Sequence, residues 1–596
     1  MASSSKSNRS RHFALENEEI NALLFADHSD SDEDCLDEED LCFLEADVDA
    51  NDNTNLGDPT LIVIDDARAQ DHDTSQENAN ETEAAKVRGN SASKPGEQTI
   101  AWKKKINPPI VPSSDVTVEW GKLKLYNLTD KSSPLEVFLL ASEFEKLLKN
   151  ILVPQTNLYA QQKGVVFATT PEELKAYLGM NFVMGYHVLP SLRDYWCTDS
   201  DMRVGYVAEV MTYERFVDIR ANLHFSDNSK QLPRENPNHD RASKIRPIID
   251  HFNSAFLAAV EPEEHQSIDE HMIKFKGHNI MKQYVKNKPV RWGFKMWARC
   301  ASKSGYLYEF DFYTGKKQET EFGLGESVVL QLSDKLKGTV SKLYFDNFFT
   351  SVKLMQVLLD DKILACGTVR SNRKYLPTNL KKDKDMKRGD SDFREANGIY
   401  ALKWMDNKSV LLLSTITDPR ETAFTERREK AKKEKTKVTC PTLVGDYNTY
   451  MGGVDLMDQK KVSYEVDRRS RIKYYLRPFH DILDIAINNA YILYQKLNPG
   501  TKIKSLDFRR SVARGLVGTF TSRKHGLHSY TSKKRCTDSP AGGLPVSHLP
   551  EMTESRKRCK FCSTNGRENR TNVICKTCGI HLCFTAGRNC YAEYHK

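Results

Sequence analysis

Three aspartates stand in contexts suited to metal chemistry: Asp269 in Ser-Ile-Asp-Glu, Asp346 in Tyr-Phe-Asp-Asn and Asp455 in Gly-Gly-Val-Asp. The first two lie in short β-like runs, the third just after a double glycine. Asp458 follows Asp455 by three residues, within one helical turn. Carboxylates drawn together out of water repel one another, so such a cluster persists when a positive charge sits between them. Hard divalent cations such as magnesium favour carboxylate oxygen. Two of them can clamp the attacking and the leaving oxygen of a phosphodiester. Aspartates are numerous in a chain of 596 residues, and most are solvated or cap turns. The reading therefore leans on what surrounds these four.

A second constellation closes the chain. Cys559-x2-Cys562 and Cys575-x2-Cys578 are followed by His581, Cys583, Cys590 and His595. Such spacing is that of metal knuckles rather than of a disulfide framework. Six Cys and two His suit two tetrahedral zinc ions. In a cross-brace, Cys559, Cys562, His581 and Cys583 would share one ion, and Cys575, Cys578, Cys590 and His595 the other. His581, two residues before Cys583, also reads as a surface histidine. Arg556-Lys557-Arg558 and Lys533-Lys534-Arg535 tilt the module toward DNA and toward nuclear import; a solvated basic linker is the plainer alternative.

The elements that must position the aspartates can be read from patterning. Residues 118–264 read as helices: Ser133-Pro134 caps LEVFLLASEFEKLL, and Thr170-Pro171-Glu172-Glu173 is a capping-box pattern before LKAYLGMNFVMG. TYERFVDIRANLHF reads as another helix. From about 265 the composition turns β-rich. The predicted order is three strands (HQSIDEHMIKF, VRWGFKMWARCA, GYLYEFDFYTG), helix, strand (KLYFDNFF), helix, strand (ILACGTVRS). That is the layout of an RNase H-like α/β fold, in which the first and fourth strands are neighbours and present Asp269 and Asp346 at one edge. The next helix then carries Asp455.

The chain is thus expected to be a multidomain α/β protein. An RNase H-like catalytic core over 265–372 and 442–464 carries an insertion domain at 373–441. A discontinuous helical domain, 118–264 and 465–545, flanks the core. The helix YYLRPFHDILDIAINNAYILYQKL is apolar on more than one face and is predicted to bury against the helices before residue 264. A small C-terminal cross-brace zinc module spans 555–596, and a basic linker is expected at 520–555.

Charge is divided unevenly. Residues 1–100 hold 25 acidic and 7 basic residues, a net of −18, which leaves +25 on the remainder of a chain whose net is +7. An acidic region on a basic body suggests nucleic acid as the body's partner. Residues 1–117 are poor in aromatics and rich in Asp, Glu, Ser and Asn, and are expected to be disordered; they contain one apolar island, LIVID, a docking motif or nothing. The N-terminus lacks the apolar stretch of a signal peptide, and no run of about 18 apolar residues predicts a membrane helix.

The aspartate contexts, together with NKPVRWGFKMW, GTVRSNR and YMGGVDLMDQ in order and spacing, resemble the piggyBac transposases and their domesticated relatives from about residue 118 to the C-terminus. The resemblance implies a cut-and-paste DNA transposase acting at TTAA sites through hairpin ends, nuclear and dimeric, binding its terminal repeats as double-stranded DNA. It implies two Mg2+ or Mn2+ ions at Asp269, Asp346, Asp455 and Asp458, with those residues catalytic. The alternative is a domesticated, cleavage-defective DNA-binding protein. The family often has a tryptophan 18 or 19 residues past the third aspartate; here Lys473 and Tyr474 stand in its place. Tyr474 could stack on a base or belong to a core. Lys288, Arg291, Lys295, Arg370 and Arg373 flank the motifs and are candidate phosphate contacts, with plain surface charge as the alternative.

Overall fold

The computed structural model describes residues 100–105, 112–286, 288–315, 321–428, 435–466, 473–523, 548–564, 569–585 and 587–595. The acidic region before residue 100, its LIVID island and Lys533-Lys534-Arg535 lie outside the described residues. The chain divides into two compact units, 1–522 and 523–596.

In the first unit a helical segment leads. Its main helices are α1 (Pro134–Ala141), α2 (Val153–Gln162), α3 (Pro171–Tyr186), α4 (Tyr213–Asn222) and α5 (Arg246–Ala259). Ser133 caps α1 through a reciprocal box with Glu136. The predicted long helix breaks after Ala141: the Ser142 hydroxyl bonds back to the Phe138 carbonyl, and Glu143 takes φ 46°. At α3 the box is one-sided. Thr170 accepts from the Glu173 amide, while the Glu173 carboxylate turns to Thr169 and to Arg215 on α4.

The strands follow as β1 (His265–Lys274), β2 (Lys282–Tyr284), β3 (Trp292–Ala301) and β4 (Leu307–Phe312). Then come α6 (Leu324–Ser333), β5 (Lys342–Phe345), α7 (Val352–Asp360) and β6 (Leu364–Thr368). β3 is antiparallel to β1, β5 is parallel to β1, and β6 is parallel to β5. β7 (Ser391–Ala396), β8 (Ile399–Met405) and β9 (Ser409–Ser414) continue the same sheet, β9 pairing antiparallel with β6. Much of the segment expected as a separate insertion thus extends the central nine-stranded sheet. The ladder outweighs sequence distance: the exposed edge of β6 is satisfied by β9. A separate hairpin, β10 (Thr422–Arg428) with β11 (Lys435–Pro441), follows.

Four helices complete this unit: α8 (Thr442–Tyr450), α9 (Gly453–Val462), α10 (Leu476–Leu497) and α11 (Ser505–Val517). α10 is buried along most of its length and shares one apolar core with α1, α3, α5 and one face of β1, β3 and β4. α6 and α7 cover the opposite face through Ile268, Trp297 and Phe345. The edge of β4 is closed by asparagines: Asn253 of α5 pairs both backbone groups of Phe310, and Asn489 of α10 those of Leu307. That explains polar residues inside otherwise apolar helices. Among the described residues no helix is long and apolar enough to cross a membrane.

The second unit is small: β12 (Pro550–Arg558) pairs β13 (Arg570–Cys575), α12 is Lys560–Thr564, β14 (Phe584–Thr585) and β15 (Arg588–Asn589) form a hairpin, and α13 is Cys590–His595.

Candidate active site and metal centres

Register places the first two acids together. Ile268 of β1 pairs with Phe345 of β5, so Asp269 and Asp346 occupy the next position on adjacent parallel strands, about 4.8 Å apart in the pairing direction. The Phe348 amide donates to Asp346 Oδ1 at 2.8 Å and the Glu270 amide to Asp269 Oδ1 at 2.8 Å. Burial pushes the Asp269 carboxyl well up, with Glu270 and Asp346 adding repulsion. Burial likewise raises Asp346.

The third acid arrives on α9, whose N-terminus packs against β1 and β3. That approach requires glycine: a Cβ on Gly453 would lie 2.5 Å from Ser267 Oγ and 2.8 Å from the Ala301 carbonyl. Asp455, in the first turn of α9, is open to solvent yet crowded, and desolvation together with Asp458 raises its carboxyl.

Asp458 is turned elsewhere. Its Oδ1 lies 2.5 Å from His271 Nδ1, and His271 Nε2 lies 2.7 Å from Asp481 Oδ2 on α10. Asp481 in turn pairs with Lys461 of α9, which also meets Glu465 at 3.0 Å. Burial alone would depress the His271 imidazole, but the two carboxylates outweigh it and hold its pKa at about 9, so the ring is an imidazolium at neutral pH. Sequence reasoning singled out none of His271, Asp481 and Lys461. The available signal was His271 at i+2 from Asp269, hence on the same face of the strand.

The positive charge among the acids is Lys288. Its Nζ lies 3.7 Å from Asp269 Oδ2 and 3.6 Å from Glu270 Oε1, and donates to the Glu270 carbonyl at 3.2 Å. Lys295 is 3.9 Å from Glu270 Oε2 and 4.1 Å from the Trp297 ring centroid. Lys288 and Lys295 outweigh burial and keep the Glu270 carboxyl low. Arg370 donates to the Asn347 side chain at 3.0 Å, and Arg373 to the Asn347 and Phe348 carbonyls, so both brace the turn after Asp346. Arg291 is exposed. Tyr474 is half-buried against the helical core, its hydroxyl donating to the Arg241 carbonyl at 3.3 Å.

The donor set at this sheet end is all carboxylate, hard oxygen chemistry that fits a divalent cation. Among the described residues, no three of these acids bring ligand atoms within 4.8 Å of one another; that closeness occurs only in the second unit.

There, two closed tetrads form. Cys559, Cys562, Cys583 and Cys590 make one, and His548, Cys575, Cys578 and His595 the other. Cys562 Sγ is 3.2 Å from Cys590 Sγ and 3.9 Å from Cys583 Sγ. Cys578 Sγ is 3.3 Å from His548 Nδ1 and 3.5 Å from His595 Nε2. A tetrahedral ion bound by S and N donors needs separations of about 3.5–3.8 Å. The Cys583 amide donates to Cys559 Sγ, and the Cys578 amide to Cys575 Sγ. His595 Nδ1 contacts the Tyr591 carbonyl at 2.7 Å, leaving Nε2 as the ligand.

The expected ligand grouping is corrected in two respects. His581 joins neither tetrad: it bridges to Ile574 in the sheet, and its carbonyl accepts from the Lys560 amide. His548, from the stretch expected as linker, takes the eighth position. Cys590 and His595 fall in different tetrads, because five residues along a helix turn them about 140° apart.

A family model described as Transposase IS4 matches residues 135–491. PiggyBac transposable element-derived protein 3 of Homo sapiens is 31% identical over 473 residues, covering 78% of this chain and 76% of that protein. PiggyBac transposable element-derived protein 2 of Homo sapiens is 32% identical over 542 residues, covering 88% of this chain and 86% of that protein. The cryo-EM structure of a piggyBac transposase synaptic complex with hairpin DNA aligns with TM-score 0.60 at 25% identity, covering 78% of this chain and 97% of that one.

Proposed function

This chain belongs to the piggyBac family of transposases, and from that premise we propose that it is a cut-and-paste DNA transposase that excises and inserts its element at TTAA by way of hairpin ends. The observation that carries the reading is the placement of Asp269 and Asp346 side by side at one end of adjacent parallel strands, with Asp455 brought there by α9. Supporting the RNase H-like assignment is the strand order: β4, β3 and β1 antiparallel, then β5 parallel to β1 and β6 parallel to β5.

Asp269, Asp346, Asp455 and Asp458 would hold two Mg2+ or Mn2+ ions, which when bound activate a nucleophile and stabilise charge on the leaving oxygen. The chain's own residues do the rest. The Phe348 and Glu270 amides fix one oxygen of Asp346 and of Asp269. Arg370 and Arg373 hold the turn that follows Asp346. Lys288 and Lys295 set a positive potential where a phosphate must approach. The two C-terminal tetrads take zinc, since four-thiolate and Cys2His2 sets are its usual structural sites. Two DNA ends have to be brought together, so the working species is a homodimer in the nucleus.

The test is excision in cells from a reporter interrupted by the element's own ends and bounded by TTAA. Wild type is expected to restore the reporter without a scar, and Asp346→Ala to abolish restoration while DNA binding persists. Restoration by neither, with end-binding intact, would make the protein a domesticated DNA-binding derivative, the second reading that the names of its human relatives favour.

A further inference from the structure

One buried charged chain near the acids enters that reading only through Asp458, at its end. It runs Asp458–His271–Asp481–Lys461–Glu465 and joins three elements, β1, α9 and α10. The side chains of His271 and Asp481 are 2% and 1% exposed, and that of Lys461 is 5% exposed. Taking charges out of water costs several kcal/mol per ion, and well-packed apolar residues often serve stability as well. A chain of this kind is therefore better explained by the geometry it imposes.

That geometry is a two-point clamp. α9 is held at Asp458 by His271 of β1, and one turn later at Lys461 by Asp481 of α10. His271 lies on the same face of β1 as Asp269, so the clamp closes directly beside the acid cluster. Asp458 Oδ1 is buried against the imidazole, an ion-pair contact rather than an aligned hydrogen bond, whereas the side chain as a whole is 32% exposed. Carboxylates that bind metals are oriented by partners of this type.

We propose that His271 is a positioning residue that orients Asp458, and with it the acid-bearing turn of α9, for a divalent cation, and that Asp481 anchors it from α10. The inference rests on the proposed active site, in which Asp458 is a metal ligand. The His271 ring forms no bond with substrate. It fixes the orientation of the Asp458 carboxylate by holding Oδ1.

The test is calorimetric titration of Mn2+ into the full-length, zinc-loaded protein without DNA, with thermal melting in parallel. The variants are His271→Phe, His271→Gln, Asp481→Asn and, as a reference for the site, Asp346→Asn. His271→Phe keeps an aromatic ring but cannot bridge the carboxylates. It is expected to bind Mn2+ roughly 10- to 100-fold more weakly, with His271→Gln restoring part of the affinity because its amide still reaches Asp458. Should His271→Phe not melt cooperatively, Asp481→Asn poses the same question, and a similar loss is expected. A folded His271→Phe or Asp481→Asn that binds Mn2+ like wild type, while Asp346→Asn does not, overturns the positioning role and leaves the active-site reading standing. Mn2+ binding unaffected by any of these changes, Asp346→Asn included, overturns both.

Discussion

At the scale of single residues, the acid cluster is balanced by a lysine. Lys288 lies under 4 Å from two carboxylates, and its charge pulls down the carboxyls of Asp269 and Asp455 against the rise that burial imposes. A cation bound among these acids is repelled by that ammonium. Lys288→Met is expected to tighten Mn2+ binding about tenfold, a 1.4 kcal/mol change, with no gain in cleavage rate. Weaker Mn2+ binding would instead mean that Lys288 assembles the acids. Gly453 is the second residue on which the site hangs. Gly453→Ala drives a Cβ against Ser267 Oγ and the Ala301 carbonyl, and overpacking of that sort costs about 1–3 kcal/mol. Thermal melting should register that loss, and cleavage should fall further than stability alone explains, because Asp455 moves with the turn.

At the scale of elements, the C-terminal unit makes the sharpest statement about ligands. Its folding energy is expected to come largely from metal, as in small modules with little apolar core. Native mass spectrometry should count two zinc ions in wild type and in His581→Ala, and one in His548→Ala. Loss of a zinc from His581→Ala would refute the grouping described above. The two knuckles were legible in the sequence because CxxC spacing is local. His548 was not, since it lies 27 residues before Cys575 and reaches it only through the pairing of β12 with β13. Likewise β1, β3, β5 and β6 were readable from composition and the turns between them. That β9 would add to β6 was not, because strand partners such as Thr368 and Leu412, far apart in the chain, leave no local pattern.

At the scale of the whole molecule, charge is the determining property. Residues 1–100 carry a net of −18 against +25 on the rest, and opposite charge of that size is expected to set the acidic region in competition with DNA for the basic body. Removing residues 1–99 is expected to tighten DNA binding several-fold at low salt and little at high salt, where screening erases the competition. Binding that is unchanged at low salt would remove this role. The measurement is a titration of labelled end DNA across salt concentrations.

The sequence by itself picked out four acids of which the fold brings several to one sheet end, the paired CxxC motifs, the helix starts at Ser133 and Thr170, and the family. Each of these is carried by residue type and short spacing. Tertiary structure alone decided what each group does with its second partner. It turned Asp458 to His271, put Lys288 among the carboxylates, set Arg373 on backbone carbonyls and exchanged His581 for His548. Those choices depend on which elements pack together, and packing brings residues such as His271 and Asp481, 210 positions apart, to within a hydrogen bond.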